Sequence, residues 1–136
     1  MEGEPVILLD THVLVWWADA SSRLSKTARQ VTKTAGRRRK LVASAISVFE
    51  IVTLERRQRL AFKLPVSEWL ANLRKLPELS IHPITDEIAE RAGALGDVFP
   101  GDPADRLIAA TSLVLGVPLV TQDAKLRQAP RLSTIW

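Results

Sequence analysis

The sequence predicts an α/β fold in three layers, with a central parallel sheet of four or five short strands between two layers of helices. Two features carry that prediction. Continuous apolar runs too brief for helices, such as Val6-Ile7-Leu8-Leu9 and Val117-Pro118-Leu119-Val120-Thr121, recur along the chain and read as buried strands. Segments with helical spacing and helix-capping residues separate them, and strands alternating with helices imply βαβ units. The 136 residues suit one domain spanning 1–136, because a second would need a core of its own.

The elements follow in order. Val6 to Leu9, bounded by Pro5 and Asp10, is the first strand, and helical texture runs from Thr11 to about Ala18. Ser25 has N-cap chemistry for a helix reaching about Ala35, with Gly36 as its stop. The basic run Arg37-Arg38-Arg39-Lys40 reads as a loop before the strand Leu41-Val42-Ala43. Ser47-Val48-Phe49-Glu50 carries the Ser-x-x-Glu capping pattern and predicts a helix start. Pro65 and Ser67 introduce a helix with Trp69, Leu70, Leu73 and Leu76 on one face, ended by Pro77. Ile81 to Ile84 is strand-like, and Thr85 caps a helix from Asp86 to about Leu95. Asp102-Pro103 is a strong helix start, followed by Leu107, Ile108, Thr111, Val114 and Leu115 at helical spacing and closed by Gly116. After the strand Val117 to Thr121, a last short one is expected within Ser133 to Trp136.

Composition narrows the function. There is no cysteine, which excludes a disulfide framework, a thiolate zinc site and a cysteine nucleophile, and points to a reducing cytoplasm. Two histidines are too few for a histidine-rich metal cage. The start Met1-Glu2-Gly3-Glu4 is acidic, unlike a secretory signal. The longest uncharged stretch, Leu107 to Gln122, is shorter than the ~20 apolar residues of a membrane span. A cytoplasmic protein without a membrane partner is expected. Nineteen Lys and Arg against fifteen Asp and Glu give a net charge of +4, a modest bias toward a polyanionic partner.

Four acids fall at the ends of elements. Asp10 ends the first strand, Asp123 follows Leu119-Val120-Thr121, and Glu50 and Asp105 fall in the first turns of predicted helices. In a parallel sheet, ligands bind beyond the carboxyl ends of the strands. Acids gathered there repel one another unless a cation neutralises them, and hard oxygen donors without Cys or clustered His suit Mg²⁺ or Mn²⁺. Each acid also has a plainer role. Glu50 fits as the capping partner of Ser47, Asp105 as a complement to its helix dipole, and Asp10 and Asp123 as turn residues. Turn chemistry does not, however, require all of them on one edge of the sheet. Asp102 is a natural N-cap first and a metal ligand second.

Other polar groups divide similarly. Thr11 follows Asp10 directly and Thr121 precedes Asp123 by two, so either hydroxyl can orient a carboxylate or cap a turn. Arg106 is placed to reach an acid or a phosphate. His12 lies near Asp10, whereas His82 is a strand residue. Residues 21–40 hold eight Lys or Arg and no acid, so Arg37, Arg38, Arg39 and Lys40 are candidates for tracking a phosphate backbone, although a solvated helix face is the commoner meaning of such a run. With no tyrosine, base stacking would rest on Trp16, Trp17 or Trp69. Val13, Leu14, Trp16 and Trp17 are many large apolar groups for one buried stripe, which leaves a thick core and a partner surface as rival readings.

The segments Leu8-Leu9-Asp10-Thr11-His12-Val13-Leu14-Val15-Trp16, Ser44-Ala45-Ile46-Ser47-Val48-Phe49-Glu50-Ile51, Asp102-Pro103-Ala104-Asp105-Arg106-Leu107-Ile108 and Leu119-Val120-Thr121-Gln122-Asp123, in this order, resemble the PIN-domain ribonucleases, specifically VapC-type toxins of toxin–antitoxin pairs. The resemblance implies a PIN-like fold and an acidic constellation of Asp10, Glu50, Asp105 and Asp123, with Thr121 as the hydroxyl before the last acid. Asp102 matches a variant of the third motif reading Asp-Pro-x-Asp-Arg, with Asp105 the favoured ligand. It further implies Mg²⁺ or Mn²⁺, hydrolysis of RNA phosphodiesters in single strands or loops, a homodimer and a VapB-type antitoxin.

Two rivals stand beside it. An aspartyl-phosphate enzyme of the haloacid dehalogenase type also begins with a strand ending in Asp, but it commonly uses Asp-x-Asp, and position 12 here is His. A PIN-like module that binds RNA or protein without cutting would keep the fold and lose the chemistry.

Overall fold

Five parallel strands form the central sheet of the computed structural model, which describes residues 6–136. The acidic start Met1 to Glu4 and the bounding Pro5 lie outside the described residues. In chain order the elements are β1 (Ile7–Leu9), α1 (Thr11–Ala18), α2 (Lys26–Arg37), β2 (Leu41–Ser44), α3 (Ala45–Arg56) and α4 (Val66–Arg74). Then follow β3 (Leu79–His82), α5 (Asp86–Ala94), α6 (Pro103–Leu115), β4 (Leu119–Val120), α7 (Ala124–Gln128) and β5 (Thr134–Ile135). The sheet order is β3-β2-β1-β4-β5, so the chain builds outward on one side of β1 and then crosses to the other. Such a reversal opens a crevice beyond the strand ends, here between β1 and β4.

Side chains alternate across a strand, and that alternation divides the apolar residues into two cores. Ile7 and Leu9 join Leu41, Ala43 and Val120 under α1 to α4, where Val13, Leu14, Leu24, Ala28, Ile51, Leu70 and Leu73 are buried. Leu8, Val42 and Leu119 face the other way, against Ile108 and Ala109 of α6 and Leu126 of α7. Ile88 and Ala92 of α5 pack with Ala110 of α6 in a smaller cluster. The three layers expected from the apolar runs are therefore present. Val13, Leu14 and Val15 are all buried, while Trp16 and Trp17 are half-buried against the same core, so α1 is packed nearly all round. Among the described residues no helix is long and apolar enough to cross a membrane.

The boundaries differ from the sequence reading where backbone donors decide. Gly36 does not stop α2, which runs to Arg37; the left-handed residue after it is Arg39, at φ 57°. The third strand is Leu79–His82, not Ile81 to Ile84, because it takes its register from Leu41↔Leu79 and stops before Pro83, which has no N–H for a ladder. Pro118 likewise confines β4 to Leu119–Val120. The helix α3 starts at Ala45, capped by Ser44, whose Oγ accepts from the Ile46 amide at 3.1 Å. Ser47 is therefore inside the helix and not its cap. Gly116 does close α6, in the left-handed conformation at φ 66°, as only glycine does without strain.

Leu8 is fully buried in the central strand. Replacing it with Ala is expected to cost about 3 kcal/mol, the range for a leucine truncated in a packed core. Urea unfolding should show this as a lowered midpoint with an unchanged slope, and a loss below about 1 kcal/mol would contradict the core described here.

Candidate active site

Asp10, Glu50, Asp102, Asp105 and Asp123 line one cleft of about 540 Å³, together with Thr11, His12, Trp16, Arg23 and Gln122. Each acid arrives by a local rule. Asp10 leaves β1 and caps α1, with Oδ1 accepting from the Thr11 amide at 2.9 Å. Asp123 leaves the turn after β4 and caps α7, with Oδ1 accepting from the Leu126 amide at 3.0 Å. Asp102 caps α6, accepting from the amides of Ala104 at 2.8 Å and Asp105 at 3.1 Å. Asp105 lies in the first turn of α6, as its position after Asp102-Pro103 predicts. Glu50 lies in the second turn of α3, one turn further along than expected, because the helix begins earlier.

Two threonines tie the acids together. Thr121, fully buried, donates its hydroxyl to Asp10 Oδ2 at 2.7 Å, and its own Oγ1 accepts from the Asp123 amide at 3.0 Å. Thr11, also buried, donates to Glu50 Oε1, and its Oγ1 lies 2.9 Å from Ser47 Oγ. Thr11 has one hydroxyl proton; with that proton on Glu50, Ser47 is the donor in the second bond. The line Ser47 to Thr11 to Glu50 thus fixes the glutamate, and it replaces the capping box read from the Ser-x-x-Glu pattern.

Burial raises the Asp10 carboxyl above its ordinary value, against the opposing bonds from Thr121 and Thr11. Burial also raises Glu50, opposed by the Thr11 bond and reinforced by the charges of Asp10 and Asp102. Asp105 is pushed up to about 7, first by burial and then by Asp10, Asp102, Asp123 and Glu50. A carboxylate that feels four others belongs to one electrostatic unit with them. Their oxygens are hard donors of the kind that hold Mg²⁺ or Mn²⁺, so the donor chemistry fits such an ion. The acids nevertheless form an open arrangement: among the described residues no three His, Asp or Glu groups stand close enough to make a ready cage.

Two basic groups lie away from the acids. Arg106 spends its donors on backbone and not on the acids. Its guanidinium donates to the carbonyls of Ala92 at 3.1 Å, Pro100 at 3.3 Å, Gly96 at 3.4 Å and Leu95, bracing the loop between α5 and α6. Arg37, Arg38, Arg39 and Lys40 precede β2, and Lys40 bonds through its carbonyl to the Ile7 amide at the start of β1. They therefore sit at the opposite edge of the sheet from the acids, about 13 Å away for a four-residue strand. The basic residue at the cleft is Arg23, part of the same charged stretch but nearer the end of α1. Ser47 is no cap, and Trp136, whose ring lies 6.0 Å from that of Trp16 between centroids, carries no sequence signal beyond its place in the short last strand.

A family profile described as PIN domain matches residues 7–132. The chain is 42% identical over 132 residues to Ribonuclease VapC22 of Mycobacterium tuberculosis, covering 96% of this chain and 98% of that protein. Among solved structures, FitAcB from Neisseria gonorrhoeae superposes with a TM-score of 0.66 at 19% identity, over 96% of each chain. The DNA-bound VapBC complex from Salmonella typhimurium gives 0.66 at 17% identity, over 97% of this chain and 98% of that one. At those identities the structural likeness is one of fold.

The Asp105 shift fixes a sign for pH dependence. An unfolded Asp titrates near 3.9, so between about 4 and 7 the folded protein holds the extra proton and stability falls as pH rises. Above about 7 this contribution is constant. Asp105 is half-exposed, so solvent screening reduces the size of the effect. Asp105→Asn is expected to stabilise the chelator-treated protein above neutrality and to reduce the downward slope; unfolding curves across pH that match the parent's would contradict the electrostatic unit. Arg106→Lys, which loses the planar fork, is expected to cost about 2 kcal/mol of stability. An unchanged unfolding midpoint would show that the four carbonyl bonds do not brace the loop.

Proposed function

The chain belongs to the PIN-domain family, among its VapC-type ribonucleases, and from that membership we propose that it is a metal-dependent endoribonuclease. In this reading residues 1–136 act as one PIN-like domain that hydrolyses phosphodiester bonds of single-stranded or loop RNA. It is the toxin of a toxin–antitoxin pair, cytoplasmic and homodimeric, and a VapB-type antitoxin neutralises it. The observation that carries the chemistry is the convergence of Asp10, Glu50, Asp105 and Asp123 on one cleft, where burial first and the neighbouring acids second push Asp105 up to about 7.

Asp10, Asp105, Asp123 and Glu50 are the residues proposed to hold Mg²⁺ or Mn²⁺, with Asp102 as a flanking carboxylate. A divalent ion bound there would supply Lewis acidity and neutralise charge developing on the phosphate. The chain's own groups prepare the cleft for that role. Thr121 and the Thr11 amide hold the two oxygens of Asp10 in one orientation, and Thr11 holds Glu50. The Asp105 carboxyl, at about 7, carries a proton part of the time near neutrality and must surrender it to act as a ligand. Cation affinity is thus expected to rise with pH up to about 7 and to level off above it.

The open spacing of the acids favours one second reading, a PIN-like module that binds RNA or protein without cutting. Incubation of the purified chain with single-stranded RNA separates the two: the nuclease yields products with Mn²⁺ and none with chelator, whereas the binding module yields complexes and no products in either case. Asp10→Asn keeps a competent helix cap but removes the charge. It is expected to lower cleavage at least about 100-fold with an unchanged circular dichroism spectrum. Wild-type rates in a folded Asp10→Asn protein would overturn the assignment of the site.

A further inference from the structure

The wall of the acidic cleft carries a second set of groups that the proposed cleavage chemistry does not use. His12 and Trp16 line the cleft beside the acids and stand one helical turn apart on the same face of α1. Their ring centroids are 5.9 Å apart at 48°, and Trp16 continues to Trp136 at 6.0 Å and 53°. Trp136 is brought there by β5, whose Ile135 carbonyl accepts from the Thr121 amide at 3.1 Å. The same Thr121 holds Asp10, so the far end of the aromatic line is fixed to the backbone of the acidic site. His12 is exposed, and Trp16 and Trp136 keep part of their surface open. Arg23, exposed, adds a positive charge on the rim of the same cleft.

The remaining tryptophans are differently engaged. Trp69 donates its indole N–H to Asp19 at 3.0 Å and packs on Phe62 at 4.5 Å between centroids. Trp17 lines a separate cleft with Arg29 and Lys33. Only Trp16 and Trp136, among the described tryptophans, form a line of rings with His12 that leads away from the acids.

We propose that His12, Trp16 and Trp136 form a stacking subsite for an unpaired RNA base next to the phosphate presented to the acids, with Arg23 facing the neighbouring backbone. The subsite rests on the RNA reading of the cleft and specifies how the strand is held. Every base has a π-face, so stacking selects for an unpaired, splayed nucleotide and not for one base identity. A duplex keeps its bases stacked on each other and cannot offer one to the rings. The acids repel the phosphate backbone wherever no cation intervenes, and an aromatic contact lends affinity without adding charge.

The test is a binding cycle on the full chain carrying Asp10→Asn, so that no turnover intervenes. Fluorescence anisotropy follows a short labelled single-stranded oligoribonucleotide, and a series of the same strand in which one position at a time is abasic. Trp136→Leu and Trp16→Leu are each expected to weaken binding about tenfold. One abasic position should cost the parent a similar factor and cost the tryptophan variants nothing more. His12→Ala, at an exposed position that the fold does not need, reads the same cycle if either leucine variant unfolds. Independent, additive losses, no sensitive position, or no binding by the parent would overturn the subsite; the last two are also what rings that seat a protein partner would give. Cleavage by the wild-type chain with Mn²⁺ is measured separately, so failure of the ribonuclease reading is distinguishable from failure of the subsite.

Discussion

The strands of this sheet all run the same way, and the rest of the site depends on that constraint. Because every strand ends at one edge, whatever residue follows a strand is delivered to that edge. Asp10 after β1 and Asp123 after β4 are placed by this rule, and Thr121 between them is placed by it too. The cost is mutual repulsion among carboxylates in a partly desolvated cleft. Hydroxyl and amide donors offset it at Asp10, and a hydroxyl does so at Glu50. Asp105, raised first by burial and then by its four acidic neighbours, has no such donor recorded on its carboxylate.

The two cores keep that edge rigid. β1 has α1 to α4 on one side and α6 and α7 on the other, so the strand that presents Asp10 cannot shift without disturbing both. Arg106 extends the same rigidity to the start of α6 by gripping loop carbonyls. A charged residue beside an acidic motif is easily taken for a substrate contact; here its fork of donors gathers four carbonyls of one loop. The basic run at Arg37 to Lys40 illustrates the converse. Charge read along a sequence says nothing of which end of a strand it occupies, and these residues lie before β2 instead of after it.

Much of the fold and most of the acidic set were legible in the sequence because both rest on short-range rules. Continuous apolar runs identified β1, β2 and β4, and Ser25, Thr85 and Asp102 act as the caps their chemistry suggests. The strand-end rule then grouped Asp10 with Asp123. What escaped depends on contacts between distant segments. Ser47 matches a capping pattern perfectly, yet Ser44 takes the cap and leaves Ser47 facing Thr11, which is 36 residues away in sequence. The short helix α7 has no periodicity to read over its five residues, and its start is marked only by Asp123, an acid with a competing role. Trp136 meets Trp16 of the cleft through the pairing of β5 with β4, which no local pattern encodes.

Asp10, Asp102 and Asp123 each serve as a helix N-cap within the cleft. The chemistry and the folding of this edge therefore share atoms. A lineage drifting away from catalysis cannot discard these side chains freely, since most replacements would fray a helix as well as empty the site of charge. Asparagine is the cheap way out, because it retains the capping oxygen while surrendering the anion. Inactive descendants of such a chain would then be marked by amides at the strand ends, a fossil record written in Asp-to-Asn exchanges and not in wholesale loss of the motif.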